Sequence, residues 1–206
     1  MKIYLFRHGE TAWNKERRLQ GQSDIPLNEF GRELAMKTAG ALQEIPFDRV
    51  FASPLSRAAE TARIIRGERN IPFRTDRRLM EMHFGQYEGD AFDPPKTDPA
   101  HPLYPFLCRP EDYIAGRDAE TFEEVTERGM DFLREQIIPL EGSCENILIV
   151  AHGAFNRCLL SGIADIPRKD FWKIGLPNCA ASILSLENGR FRILEESRIY
   201  YEEKRK

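Results

Sequence analysis

Apolar positions in this chain form short continuous runs, separated by longer stretches where they recur every three or four residues. Positions 2–6 read Lys-Ile-Tyr-Leu-Phe, a run suited to a strand buried on both faces. Positions 49–52 and 147–151 repeat the pattern, and 71–75 is a weaker version. Between these runs, Phe30, Leu34, Thr38, Ala41 and Leu42 keep helical spacing behind Asn28, an N-cap type. That helix extends to about position 45, where Pro46 ends it. Ser53-Pro54 turns into a second helix over 56–66, with Ala59, Ala62 and Ile65 on one face and Gly67 as its stop. Thr121-x-x-Glu124 fits a capping box and opens a helix carrying Phe122, Val125, Gly129, Phe132 and Ile137. A further apolar helix runs from about 153 through Leu159 and Leu160. Runs at 182–186 and 192–194 flank Asn188-Gly189, a strong hairpin signal. Strands alternating with helices predict one three-layer α/β/α domain over 1–206, with a mostly parallel central sheet.

Three stretches depart from that rhythm. Positions 10–27 are a polar loop rich in Asn, Gln, Asp and Gly, and 79–85 is an apolar stretch interrupted by Glu81. From 90 to 116, prolines 94, 95, 99, 102, 105 and 110 crowd together with Phe92, Tyr104, Phe106 and Tyr113. So many prolines argue against regular sheet, and the aromatics argue against a linker. The stretch is read as a small insertion, about 86–120 with its flanks, packed over a site. The aromatics are expected mainly as local core. The charged tail from 202 to 206 is expected to fray.

Composition narrows the class. A formal net charge of -3 gives no sign of a nucleic-acid or membrane-surface binder. The clusters Arg17-Arg18 and Arg77-Arg78 are flanked by acids and read as solvated faces. Cys108, Cys144, Cys158 and Cys179 form no C-x-x-C pair, so they read as buried thiols in a reducing compartment. The apolar run before Arg7 is too short for a signal peptide, and no segment approaches a membrane span. A cytoplasmic, soluble protein is expected.

Candidate chemistry sits where the strands stop. In an open parallel sheet, ligands bind beyond the carboxyl ends of strands. The first strand ends in Arg7-His8-Gly9, the second in Ala52-Ser53 with Arg57 opening the next helix, and the 147–151 run in His152-Gly153; Glu81 follows a short strand. If these strands are parallel neighbours, two arginines, two histidines and a carboxylate meet around a helix N-terminus. Those are the ingredients of a phosphate site. A neutral imidazole can attack phosphorus, fixed cations can stabilise the charge that gathers, and a carboxyl can protonate the departing alcohol. Glu81, set among Leu79, Met80, Met82 and Phe84, is expected in an apolar, desolvated setting. His83 and His101 show no metal-type spacing and are expected as structural or pocket-edge residues.

At these residues the chain resembles the histidine phosphatase superfamily, which includes the cofactor-dependent phosphoglycerate mutases. Arg7-His8-Gly9-Glu10-Thr11 is similar to the motif that names the family. The likeness continues through Asn14, Arg18-Leu19-Gln20-Gly21, Asp24-Ile25-Pro26-Leu27, Gly31, Ser53-Pro54-Leu55, Arg57-Ala58, Glu60-Thr61-Ala62, Glu81, Phe84-Gly85, Glu88-Gly89 and His152-Gly153. The resemblance implies a phosphoglycerate mutase-like fold, His8 as the phosphorylated nucleophile and Glu81 as proton donor. It implies that Arg7, Arg57 and His152 hold the phosphoryl group, with Asn14, Gln20, Gly21 and Gly153 lining the pocket. In the mutases the acid is followed by Arg-His-Tyr-Gly, whereas here Met82 replaces that arginine. Their longer basic insertion is also missing: here the clear cations are Lys96, Arg109 and Arg117. The phosphatase branch is therefore expected, acting on a small phosphorylated metabolite and releasing inorganic phosphate, without metal or other cofactor. The alternatives are mutase-type transfer and a catalytically silent phosphoryl-binding module. A homodimer through the hairpin around Asn188 stays open.

Overall fold

The computed structural model of the chain describes residues 1–201. The strands are β1 (Lys2–Arg7), β2 (Arg49–Ala52), β3 (Phe73–Thr75), β4 (Asn146–Ala151), β5 (Ala181–Glu187) and β6 (Arg190–Arg198). They form a six-stranded sheet in the order β3-β2-β4-β1-β5-β6. β3, β2, β4 and β1 are parallel neighbours, and β5 and β6 add an antiparallel edge. The expected architecture, a mostly parallel sheet between helical layers, is what forms.

The four major helices are α2 (Glu29–Ala41), α3 (Ser56–Arg66), α6 (Phe122–Phe132) and α7 (Gly153–Ala164); the short ones are α1 (Ala12–Lys15), α4 (Asp93–Thr97) and α5 (Tyr104–Cys108). Alternation along β1 sorts its side chains into two cores. Ile3 and Leu5 pack with Phe132, Phe155 and Leu159 from α6 and α7, while Tyr4 and Phe6 pack with Ala58, Ala62 and Ile65 of α3. Burial on both faces is why β1 and β4 read as continuous apolar runs rather than alternating ones.

Several boundaries shift. α2 stops at Ala41 instead of near 45, because a proline disfavours helical backbone in the residue before it and the chain tightens into a turn ahead of Pro46. The helix that opens at Thr121 leaves α geometry after Phe132, passing through a π turn (Leu133–Ile137) and a 3-10 turn (Ile138–Leu140). Pro139 has no N–H for the ladder, and the wider turn still buries Ile137. The hairpin strands are longer than expected, and the N–H groups of Asn188 and Gly189 at its tip donate to the Glu141 carboxylate at 2.6 and 2.9 Å. The insertion contains no strand among the described residues. Pro105 and Pro110 instead sit in the first turns of α5 and of a 3-10 turn (Pro110–Asp112), where a missing N–H costs nothing. Phe106 and Tyr113 are buried there as expected. Of the four cysteines, Cys158 and Cys179 are buried, but Cys144 is half-buried and Cys108 exposed, so only part of that expectation holds. The expected frayed tail at 202–206 lies outside the described residues. Among those described, no helix is long and apolar enough to cross a membrane.

Candidate active site

Register brings the two histidines together. Arg7 at the end of β1 lies opposite Ala151 at the end of β4, so His8 and His152 leave adjacent parallel strands on the same side. Their ring centroids are 5.1 Å apart. β2 ends beside β4 with Ala52 opposite Val150, which delivers Arg57 in the first turn of α3. The N-terminus of α3 lacks a cap from its own Leu55; Asp24 Oδ1 accepts from the Ser56 N–H at 2.7 Å instead.

Each side chain is held for a task. His8 Nδ1 is 2.6 Å from the Gly9 carbonyl oxygen. That oxygen can only accept, so Nδ1 carries the proton and Nε2 keeps its lone pair. Burial, then the Arg57 and Arg7 guanidiniums, hold the His8 imidazole well below its ordinary pKa range. His152 is shifted the same way by burial, then Arg57 and His8. Both rings are therefore neutral near pH 7. Arg57 is fully buried and donates through Nη1 to the Ser23 carbonyl at 2.8 Å and through Nη2 to the Gly21 carbonyl at 2.6 Å. Burial lowers its pKa to about 10, against the opposing pull of Glu81. Arg7 donates through Nη1 to the Leu176 carbonyl at 2.7 Å, and burial lowers its pKa too.

Glu81 is placed differently from expectation. The sequence suggested apolar surroundings; instead its carboxyl meets the amide end of α7. Oε1 accepts from Phe155 N–H at 2.8 Å and from Met82 N–H at 2.9 Å, and Oε2 accepts from Ala154 N–H at 3.1 Å. His152, the N-cap, makes no side-chain cap, so this carboxyl satisfies the otherwise orphaned donors of the helix. Oε2, with one donor, retains capacity for a proton. The preceding segment is also not strand: a 3-10 turn (Arg77–Leu79) separates β3 from Glu81.

The polar loop supplies the rest. Asn14 completes a capping box with Thr11, and its Oδ1 also accepts from Asn178 at 3.3 Å. Gln20 Oε1 accepts from the Thr11 hydroxyl at 2.9 Å, which turns its amide nitrogen outward from that bond. Gly21 has φ +53°, and a Cβ there would sit 2.0 Å from Glu88 Oε1. Glu88 in turn binds the N–H groups of Gln22 and Ser23 at 2.8 and 2.7 Å, pinning the loop that holds Arg57.

These side chains share one cavity of about 170 Å³. Arg7, His8, Asn14, Gln20, Gly21, Arg57, Glu81 and Gly153 all line it, while His152 sits just behind, fully buried. Phe92 and Phe106 from the insertion contribute to its wall, as does Trp172. Lys96, Arg109 and Arg117 do not line it; Arg109 pairs with Asp112 and Lys96 lies over the Phe92 ring. His83 faces Glu88 at 3.5 Å and His101 packs near Tyr87, both away from the cavity lining. Arg18, expected on a solvated face, pairs with Glu16 at 2.7 Å yet also borders the cavity.

Trp172 and Arg157 line the cavity without any signal in the sequence. Arg157 lies one turn into α7, nearly buried, with Nε on the Ile174 carbonyl at 3.0 Å, Nη1 on the Gly153 carbonyl at 2.9 Å and its guanidinium 4.8 Å from the Trp172 ring centroid. Burial lowers its pKa to about 10. Its spacing from His152 reads as helix interior until α7 is docked.

What converges here is a set of unpaired polar groups: Arg7 Nε, Arg57 Nε and both ring nitrogens of His152, one of which carries the proton of the neutral ring, are buried without a hydrogen-bond partner among the described residues. Each such group costs roughly 1–3 kcal/mol when left unpaired. A tetrahedral anion offers acceptors to several of them at once. Among the described residues, no group of three His, Cys, Asp or Glu side chains is arranged to hold a metal ion.

A mostly parallel α/β sheet with guanidiniums, neutral imidazoles and a helix-capping carboxyl at its strand ends defines the class: an enzyme that handles phosphoryl groups. The family model described as histidine phosphatase superfamily (branch 1) matches residues 3–197, and the chain belongs to that superfamily. A protein from an Enterobacter species named "Probable phosphoglycerate mutase GpmB" is 34% identical over 182 residues, covering 88% of this chain and 83% of that protein. The solved structure of Bacillus stearothermophilus YhfR is 34% identical with a TM-score of 0.88, covering 96% of this chain and 97% of that one. A phosphoserine phosphatase from Entamoeba histolytica, solved in complex with 3-phosphoglyceric acid, is 25% identical with a TM-score of 0.83 and 96% coverage of both chains.

Proposed function

We propose that the protein is a phosphomonoesterase that works through a phosphohistidine on His8. A small phosphorylated metabolite enters the cavity, and its phosphoryl oxygens take the free donors of Arg7, Arg57 and His152, with Asn14, Gln20 and the Gly153 end of α7 around them. His8 Nε2 gives its lone pair to phosphorus while the P–O ester bond breaks. The departing oxygen takes a proton from Glu81. Water then attacks phosphorus, Glu81 recovers a proton from it, the P–N bond breaks and inorganic phosphate leaves. The observation that carries the reading is the His8 tautomer: Nδ1 is committed to Gly9, and burial keeps the ring neutral beside two guanidiniums. Nucleophilicity and charge stabilisation are thus supplied in one place.

A second reading, mutase-type transfer, has one specific observation in its favour. Arg157 and Arg18 bring guanidiniums to the cavity beyond those that one phosphoryl group needs. Against it, the insertion contributes no cation to the cavity wall among the described residues. Incubation with labelled phosphomonoesters should leave acid-labile label on His8, and none in His8→Ala. Phosphate release should exceed transfer, with or without bisphosphoglycerate. Strong transfer with negligible release would assign the mutase activity instead, and no label on His8 with any ester would end both readings.

A further inference from the structure

We propose that Glu120 and Arg128 are positioning residues for Glu81: an ion-paired clamp outside the cavity that fixes the irregular segment from which the carboxyl is delivered. The inference rests on Glu81 being the proton donor, as proposed above.

The problem the clamp solves is local. Between the 3-10 turn Arg77–Leu79 and the next one at Gly85–Tyr87, the chain has neither helix nor strand. Its carbonyls need partners from elsewhere. Arg128, on the second turn of α6, supplies them. Nη1 donates to the carbonyls of Arg78 and Met80 at 2.6 and 2.8 Å, and Nη2 donates to the Glu81 carbonyl at 3.1 Å. Nε and Nη2 also form the two-pronged contact with Glu120, at 2.8 and 3.0 Å. A guanidinium has five N–H donors, and the bonds made here account for all of them. Glu120 grips the far side: Oε2 accepts from the His83 N–H at 2.8 Å, and its own N–H donates to the His83 carbonyl at 2.8 Å. Backbone on both sides of Glu81 is therefore tied to the start of α6, whose own first turn is locked by the Thr121–Glu124 capping box.

Neither residue lines the cavity, so neither touches substrate. Their effect on chemistry passes mainly through the position of one carboxyl; the Arg128 charge also acts at a distance on His152, and Arg128→Lys keeps that charge. A proton donor at the end of a flexible arm loses its advantage when its backbone drifts, and a displacement of about 1 Å can cost roughly 100-fold. Lysine cannot replace the fork, having three donors on one atom and no planar geometry.

The test separates positioning from general support of the fold. Wild type, Arg128→Lys, Glu120→Gln and Glu81→Gln are assayed on an alkyl phosphate, whose alkoxide must be protonated to leave, and on p-nitrophenyl phosphate, whose phenolate leaves without a proton. Arg128→Lys and Glu120→Gln should lose about 100-fold in kcat/KM on the alkyl ester, the scale of general acid catalysis. On p-nitrophenyl phosphate they should lose less than about fivefold, the pattern of Glu81→Gln. Parallel loss on both esters, or loss on neither, would overturn the proposal. Glu120→Gln keeps the shape of the side chain and carries the test if Arg128→Lys does not fold; if neither folds, the pair is a structural bridge and the proposal fails. If Glu81→Gln itself shows no dependence on the leaving group, the acid assignment fails instead, whatever the clamp variants do, and labelling of His8 stays an independent check on the nucleophile.

Discussion

Arg57→Met should separate stability from activity. Arg57 is fully buried, and burial lowers its pKa from the ordinary arginine range to about 10. At 1.36 kcal/mol per unit, holding the charge there costs the fold about 3 kcal/mol. Methionine removes that cost and keeps most of the volume. It also strands the Gly21 and Ser23 carbonyls that Arg57 serves, at roughly 1–3 kcal/mol each where water does not reach them. The two sums are of similar size, so urea denaturation should place the variant within about 3 kcal/mol of wild type. Activity has no such compensation. A preorganised cation aimed at the reacting group contributes on the order of 100- to 1,000-fold, and kcat/KM should fall by at least that much. The third measurement is ligand linkage. Inorganic phosphate at about 100 times its Kd should stabilise the wild type by about 2.7 kcal/mol and raise Tm, whereas the variant should show little shift at the same concentration. A loss of more than about 4 kcal/mol in stability, or a fall in kcat/KM below about tenfold, would refute the reasoning that Arg57 is held at a cost for its charge.

Four further outcomes follow from the same geometry. His8 and His152 both have pKa values held well below 6.5 in the fold, so the unfolded chain binds more protons just below that pH; stability should fall as pH drops beneath about 6.5, by up to about 1.4 kcal/mol per unit for each ring, and His152→Gln should flatten the slope in acid-range denaturation curves. Gly31→Ala would place a Cβ 2.1 Å from the Glu10 carbonyl oxygen, so the loop carrying His8 must move; a loss of roughly 1–3 kcal/mol and a marked drop in kcat are expected, and an unperturbed variant would contradict the packing. Arg157→Gln should raise KM about tenfold or more while lowering kcat less, because Arg157 borders the cavity without touching His8; a pure kcat effect would place it nearer the chemistry. EDTA should leave phosphate release intact, and a loss reversed by a divalent ion would show that a metal takes part.

The contrast between what the sequence revealed and what it concealed has a physical basis. β1 and β4 are buried on both faces, and such strands leave an unbroken apolar run. Asn28 and Thr121 announce their helices because capping is a contact within three residues. His8, Arg57 and His152 stand at strand ends, where a short-range pattern points to a long-range place. Glu81 is legible as a residue but not in its setting, since two of its three donors come from Ala154 and Phe155, more than seventy positions away. Arg157 and Arg128 look like ordinary helical cations until tertiary packing shows what each one holds. The insertion misleads differently: prolines that forbid a strand are welcome in the first turn of a helix, and several short turns form there.

The strand order has a consequence for how the protein is made. Among the six strands, β1 is made before the others, yet its neighbours are β4 and β5, which are encoded more than 140 residues later. Until those strands are made, a growing chain must carry a bare, greasy ribbon with no complementary edge to receive it. Nascent chains ending before position 146 should cling to chaperones or to one another, and release should come abruptly once β4 and β5 have been extruded.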